Sequence, residues 1–561
     1  MGKKKKKKED EVEEKEEEFT REVPLTKDFT QARKNFPHFD AYIKELESKG
    51  KMPEFYPELK REMSAMKYPN LIYPVGDPIF IHISREKGGP MQYTVIEPRL
   101  DEEEEKLYEK IIDELVYIAY KEEVPAKTAN MTNIFKKYLK QLTHVEGDEE
   151  GFIEKFEKKV SLTKQQYKDI EYYLLRNRIG YGKLEPLFYD PNLEDIHCTG
   201  VGVIKTIHKM FGMVYTNIDF RDDKELNRYI VDVSERVERP TSDAHAVVDA
   251  MMPDGSRVNF IYGRDISREG SSFTIRKFAS TPVSITQVVN WGTMSAELAA
   301  YMWIALESGM NIFVCGETAS GKTTTLNAMS AFIKPTDKIY TVENTPEVTM
   351  PHDVWQHLVT REAGKESDVG YLDLLIAALR SRPNYIIVGE IRGVEGSIAF
   401  QAMQTGHPVM STFHAGNVTT MIQRITGDPI NVPIAFVDNL NIVLIQQAVF
   451  NGTKFVRRVL NVSELERFYA PANKVVTREV FSWGADKDVF SFRGKFNSYI
   501  LEQKIAKLRG YTDPKQIYEE VDLRKRIIER MIEEKIFNYY EVWEILKNFY
   551  FEGISSLPFK L

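Results

Sequence analysis

The stretch GETASGKTTT, Gly316 to Thr325, constrains this chain more than any other. NIFVC before it reads as a buried strand and TTTLNAMSAFI after it as a helix, so a glycine-punctuated turn joins the two. Such a turn points backbone N–H groups inward at the start of a helix, where they have no partners of their own, and therefore cradles phosphate. The expected contacts are Gly316, Thr318, Ser320, Gly321, Lys322, Thr323 and Thr324. Lys322 would reach the β and γ oxygens of ATP as a point charge, and the Thr323 hydroxyl would ligate Mg²⁺.

Hydrolysis also needs a polarised water and stabilised charge on the γ phosphoryl group, which directs attention to the ends of the following strands. KIYTV is followed by Glu343 and YIIVG by Glu390, two carboxylates on the edge where a nucleotide would lie. One can orient water while the other helps hold Mg²⁺; as isolated loop acids they would be solvated and inert. His407 and His414 flank the run VMSTF, and His414, at its far end, is the better placed to sense the γ phosphate.

The 561 residues exceed what one core can organise, and 42% hydrophobic with 29% charged residues is a globular balance. A net charge of −8 argues against a nucleic-acid coat. Cys198 and Cys315 are the only cysteines, which excludes a disulfide framework and a four-thiolate zinc site and fits a reducing compartment. No run of 18 apolar residues and no signal peptide are present, so a cytoplasmic chain is expected, reaching a membrane through partners or surface charge.

Residues 1–22 carry Lys3 to Lys8 and then an acidic block from Glu9 to Glu18, the composition of a disordered tail. Contact with anionic lipid and a self-neutralising extension are both open readings of it. Residues 23–280 are expected to form an N-terminal domain. Its first part, to about 150, should hold irregular strands and helices where prolines crowd and then turn helical, with Leu107, Ile111, Ile112, Leu115 and Ile118 at helical spacing. Its second part, 151–280, begins with an amphipathic helix closed by Gly180 and continues as mixed α/β, with a hairpin at Gly255. Residues 281–561 should hold a doubly wound sheet, parallel around the nucleotide, and a helical C-terminal extension with Asp513 as cap and Pro514 at its first position.

The series GETASGKTT, IYTVENTPE, SRPNYIIVGEIRG and AMQTGHPVMSTFHAG resembles the secretion-type ATPases that drive type II secretion, type IV pili and archaeal flagella. The resemblance runs back through GYGKLEPLFYDPNLEDIHCTG to SFTIRKF, covering roughly residues 170 to 470. It implies a RecA-like P-loop domain behind a mixed α/β N-terminal domain, assembled as a hexameric ring. It implies Glu343 as catalytic base, Glu390 as the Walker B acid and His407 with His414 as a histidine box. It further implies that Arg257 and Arg276 close on the phosphates from the N-terminal domain, where bland surface arginines would be the alternative. The implied partners are a polytopic membrane platform protein and accessory cytoplasmic motor proteins at the inner face of the membrane, with acidic lipid in play and nucleic acid not expected.

The bacterial type II secretion branch often has a four-cysteine zinc loop, which two cysteines cannot build; the archaellum motor branch fits better. Another pilus or a DNA-transfer system, and a nucleotide-gated scaffold that never hydrolyses, are the competing expectations.

Overall fold

The computed structural model describes residues 24–60, 63–64, 66–119, 128–145, 159–278, 282–361, 368–451 and 454–561. The charged stretch 1–22 lies outside the described residues. The chain divides into two compact units, Met1–Ala279 and Ser280–Leu561.

In the first unit a ten-stranded sheet runs in the order Glu54–Phe55, Asn70–Gly76, Ile79–Ser84, Gln92–Ile96, Gly212–Phe220, Gly202–His208, Leu193–Cys198, Ser272–Arg276, Arg257–Ile261 and Val247–Met251. Alternation drives it: Val214, Thr216, Ile218 and Phe220 point inward from Gly212–Phe220 while their neighbours face water. The proline-rich segment, expected to hold irregular strands and helices, supplies both, and its strands join the same sheet as residues 193–276. Pro74 sits where the register shifts between Pro74 and Gly76, the kind of position at which a strand tolerates proline. The two halves meet where Gln92 pairs Tyr215 and Tyr93 pairs Thr216. Asp190, fully buried, fastens the join by accepting hydrogen bonds from Tyr73 (2.6 Å) and Tyr93 (2.8 Å).

The helices Glu102–Ala119, Thr128–Leu142 and Lys164–Arg178 share a core through Ile111, Leu115, Leu139, Leu142, Ile170 and Leu174. Thr163 and Gln166 form a capping box at the start of the third helix. Gly180 is not a left-handed cap there; a side chain on it would lie 2.5 Å from the Glu185 carboxyl carbon, so it is needed for room. The Gly255 hairpin forms as expected, with Met251 opposite Arg257.

The second unit is built on a nine-stranded sheet in the order Trp355–Val359, Ile339–Glu343, Tyr385–Ile391, Val409–Phe413, Ile312–Gly316, Ile442–Asn451, Lys454–Tyr469, Lys474–Gly484 and Val489–Phe492. The first six are parallel and the rest antiparallel. Successive side chains of one strand enter different cores: Ile312 and Val314 pack with the helices Ala296–Glu307 and Ile517–Glu533. Phe313 and Cys315 pack instead with Tyr371–Arg380, Glu395–Gln404 and Val418–Thr426. The sheet is therefore wound on both faces, a RecA-like P-loop arrangement in which one strand separates Ile312–Gly316 from Tyr385–Ile391. Ser295 caps Ala296–Glu307, and the C-terminal helix buries Ile517, Val521 and Ile528.

Glu464 is fully buried and accepts from Tyr301 (2.8 Å), Ser498 (2.5 Å), Tyr499 N–H (2.8 Å) and Ile500 N–H (3.2 Å). It ties a strand, a helix and the turn at Tyr499 together. Glu464→Ala strands four donors and is expected to cost about 3 kcal/mol, read as a lower urea midpoint, with Glu464→Gln losing less.

Candidate functional site

The strand Ile312–Gly316 is wholly buried, so polarity can begin only at its end. There the chain turns through Ala319 (φ 61°) and Gly321 (φ 89°) into the helix Lys322–Ser330. No side chain caps that helix, which leaves its first N–H groups directed at the loop. Gly316 is obligatory because an added Cβ would sit 2.1 Å from the Gln446 carbonyl oxygen. The loop is braced: Ser320 Oγ and Lys322 Nζ donate to the Glu317 carbonyl (2.8 and 2.9 Å), Gln446 to that of Ser320 (2.8 Å) and Arg457 to that of Ala319 (3.1 Å). Burial lowers the Lys322 pKa, and the nearby Glu390 charge works against the shift. Thr318 and Thr324 are exposed and Thr323 is half-buried.

Glu343 closes its strand at the same edge with 2% exposure. Its Oε1 accepts from Glu347 N–H and Val348 N–H, both at 3.0 Å, and its Oε2 lies 2.9 Å from His357 Nε2. Burial raises its pKa, against those hydrogen bonds. Glu390 follows a bulge at Gly389, where Val388 pairs Ser411 and Glu390 pairs Thr412; Thr412 Oγ1 donates to the Gly389 carbonyl at 2.6 Å. The bulge turns the Glu390 carboxylate toward Arg392 and to 2.5 Å from His414 Nε2. Although that contact is close, Glu390 Oε1 is buried without a well-directed hydrogen bond. Burial lowers the His414 pKa, as does Lys322, while Glu390 raises it.

Lys322, Glu343, Glu390 and His414 thus gather at the carboxyl edge of one sheet. His407 does not join them. It precedes Val409–Phe413 at the amino end of that strand and pairs with Thr405 at 3.0 Å, so about 17 Å of strand separates it from His414. The two histidines flank the strand as expected, one at each end, and only His414 stands at the edge that carries the loop. Arg257 and Arg276 belong to the first unit, directly opposite each other on neighbouring strands, exposed, with Asp249 at 3.8 Å and Asp195 at 3.3 Å.

Sequence reasoning missed His357, Gly389, Thr412, Gln446 and Arg457. WQHLV contains no turn signal or motif that would set a histidine beside Glu343; only the pairing of Thr341 with His357 does so. Gly389 was visible as a glycine inside a strand pattern, which is the mark of a bulge.

Residues 187–471 match the family described as type II/IV secretion system protein. The chain belongs to that family. Every candidate residue from Arg257 to His414 falls within the match. The uncharacterized protein MJ0900 of Methanocaldococcus jannaschii is similar to this secretion-family chain at 51% identity over 543 residues, 95% of this chain and 98% of its own. A probable conjugal transfer protein, TrbB of Sinorhizobium fredii, is 33% identical over 208 residues, 35% of this chain and 61% of its own. The solved Legionella pneumophila ATPase DotB is 16% identical over 72% of this chain and 99% of its own, at a TM-score of 0.37, too slight a likeness to argue from.

In this secretion-family chain a Cβ on Gly389 would approach Glu343 Cγ to 2.9 Å. Gly389→Ala is expected to cost on the order of 1–3 kcal/mol and to displace the Glu343 carboxylate, visible in a crystal structure of the variant.

Proposed function

We propose that the chain hydrolyses ATP and turns the energy into mechanical work as a homohexameric motor. The observation that carries this is the convergence of a lysine-bearing phosphate loop, a buried glutamate and a glutamate–histidine pair at one sheet edge. In this reading the loop N–H groups and Lys322 hold the β and γ phosphates, Glu343 orients and deprotonates the attacking water, and His414 reads the γ phosphate through Glu390. The hard oxygen donors Thr323 Oγ1 and Glu390, whose Oε1 lacks a directed partner, suit Mg²⁺, and these two residues would hold it. Bound there, the ion would neutralise phosphate charge. Arg257 and Arg276, exposed on their sheet beside Asp249 and Asp195, are the cations that a moving first unit would add to the phosphates, coupling its position to transition-state charge.

The output is carried to a polytopic membrane platform protein, with accessory cytoplasmic proteins, at the inner face of the membrane; among the described residues no helix is long and apolar enough to cross one. The finer reading is an archaellum-type motor similar to FlaI, supported by the segments RPNYIIVGEIRG and GDPINVPIAFVDNLNIVLIQQAV. A DNA-transfer role is favoured by one observation, the 33% identity to a protein named for conjugal transfer. Stimulation of ATP turnover by DNA would select transfer, and stimulation by anionic vesicles the filament motor.

Glu343→Gln is expected to bind a fluorescent ATP analogue normally and to lose turnover by about a hundredfold or more in a phosphate-release assay. Turnover equal to the natural chain would overturn Glu343 as base. An assembled natural chain that releases no phosphate would favour the scaffold.

A further inference from the structure

Glu343 is more restrained than a water-activating carboxylate needs to be. A carboxylate offers about four lone-pair directions, two on each oxygen. Both on Oε1 are used by the N–H groups of Glu347 and Val348. His357 Nε2 takes one on Oε2. A single direction on Oε2 is left, and His357 decides where it points.

His357 is itself held. It lies on Trp355–Val359, the edge strand beside the Glu343 strand, with its ring stacked on Trp355 at 5.0 Å and 21°. The Trp355 indole donates to Thr341 Oγ1 at 2.9 Å, on the Glu343 strand itself. Behind the carboxylate Gly389 leaves no space for retreat, its virtual Cβ being 3.1 Å from Oε1.

We propose that His357 is a positioning residue for the hydrolytic step: donating from Nε2, it orients the Glu343 carboxylate toward the attacking water. This rests on the reading of Glu343 as base. Burial raises the pKa of Glu343, and the His357 hydrogen bond is the first of the interactions that oppose the rise. Tyr371 also lies near this carboxylate, and burial holds it neutral; Glu390 and Glu395 act with Glu343 on Tyr371. Since the base works ionised, turnover falls as pH drops through its folded pKa. Removing the donor raises that pKa further and moves the acid limb to higher pH.

Two substitutions separate the donor from the ring. His357→Phe keeps the stack on Trp355 and deletes the N–H; His357→Gln deletes the ring and keeps an N–H donor. In the full chain, kcat against pH is expected to show the acid limb of His357→Phe moved up by about one unit, about a tenfold loss on that limb and recovery at high pH. His357→Gln is expected to follow the natural profile. Affinity for a fluorescent ATP analogue should be unchanged in both. A loss in His357→Phe that is equal at every pH, or a natural profile in His357→Phe, overturns the proposal, as does a shift seen in His357→Gln but not in His357→Phe. Glu343→Gln run alongside keeps the two readings apart. If it is fully active, the base assignment fails; if it is inert while His357→Phe behaves naturally, only the positioning role fails.

Discussion

The strand Ile312–Gly316 has helices on both faces and parallel neighbours on both edges, so no polar side chain can be placed along it. Its N–H and C=O groups are consumed by the strands beside it. Polarity returns where the ladder stops, and in a parallel sheet all carboxyl ends stop on one side. Lys322, Glu343, Glu390 and His414 come from four different strand ends yet reach one place for that reason. The same constraint explains His407, whose motif companion sits one strand length away on the productive edge.

Buried acids divide into two kinds. Asp190 and Glu464 are fully buried, and Glu464 has four donors around it, so each works as a rivet between elements distant in sequence. Glu343 is almost as buried, but its donors leave one lone-pair direction over, and Glu390 keeps an oxygen without a directed hydrogen bond. A buried carboxylate oxygen without a partner is unfavourable unless something else uses it; Glu390 Oε1 is such an atom beside the loop, and Asp223 Oδ1 is another, in the first unit.

Much of this was legible from residues alone, because it follows from local rules. The strand–loop–helix unit, the two strand-end glutamates, the Ser295 and Asp513 caps and the C-terminal amphipathic helix each show their pattern within a few residues. The long-range pairings did not. The sheet that the strands around Pro74 join was not visible, because pairing depends on a partner distant in sequence, and Gly180 looked like a helix cap although the group that requires it is the Glu185 carboxylate. His357 had no local signature, since its place beside Glu343 is created by two parallel strands pairing across the helix-free segment between them.

The last parallel strand and the antiparallel strand beside it together supply a support behind the phosphate loop. Gln446 leaves its strand at a register shift after Ile445 and reaches the Ser320 carbonyl; Arg457, on the next strand, reaches that of Ala319. Seven residues along the Arg457 strand, Glu464 grips the helix Ala296–Glu307 and the turn at Tyr499. A loop that shifts enough to lose the Arg457 contact therefore acts on a strand whose other end is riveted into the helical layer. Gly321 leaves little slack for such a shift, because its virtual Cβ lies 3.0 Å from both Arg457 Cδ and Gln446 Nε2. The loop and these two strands are thus fitted to each other side chain against backbone, which makes the strands part of the site's architecture.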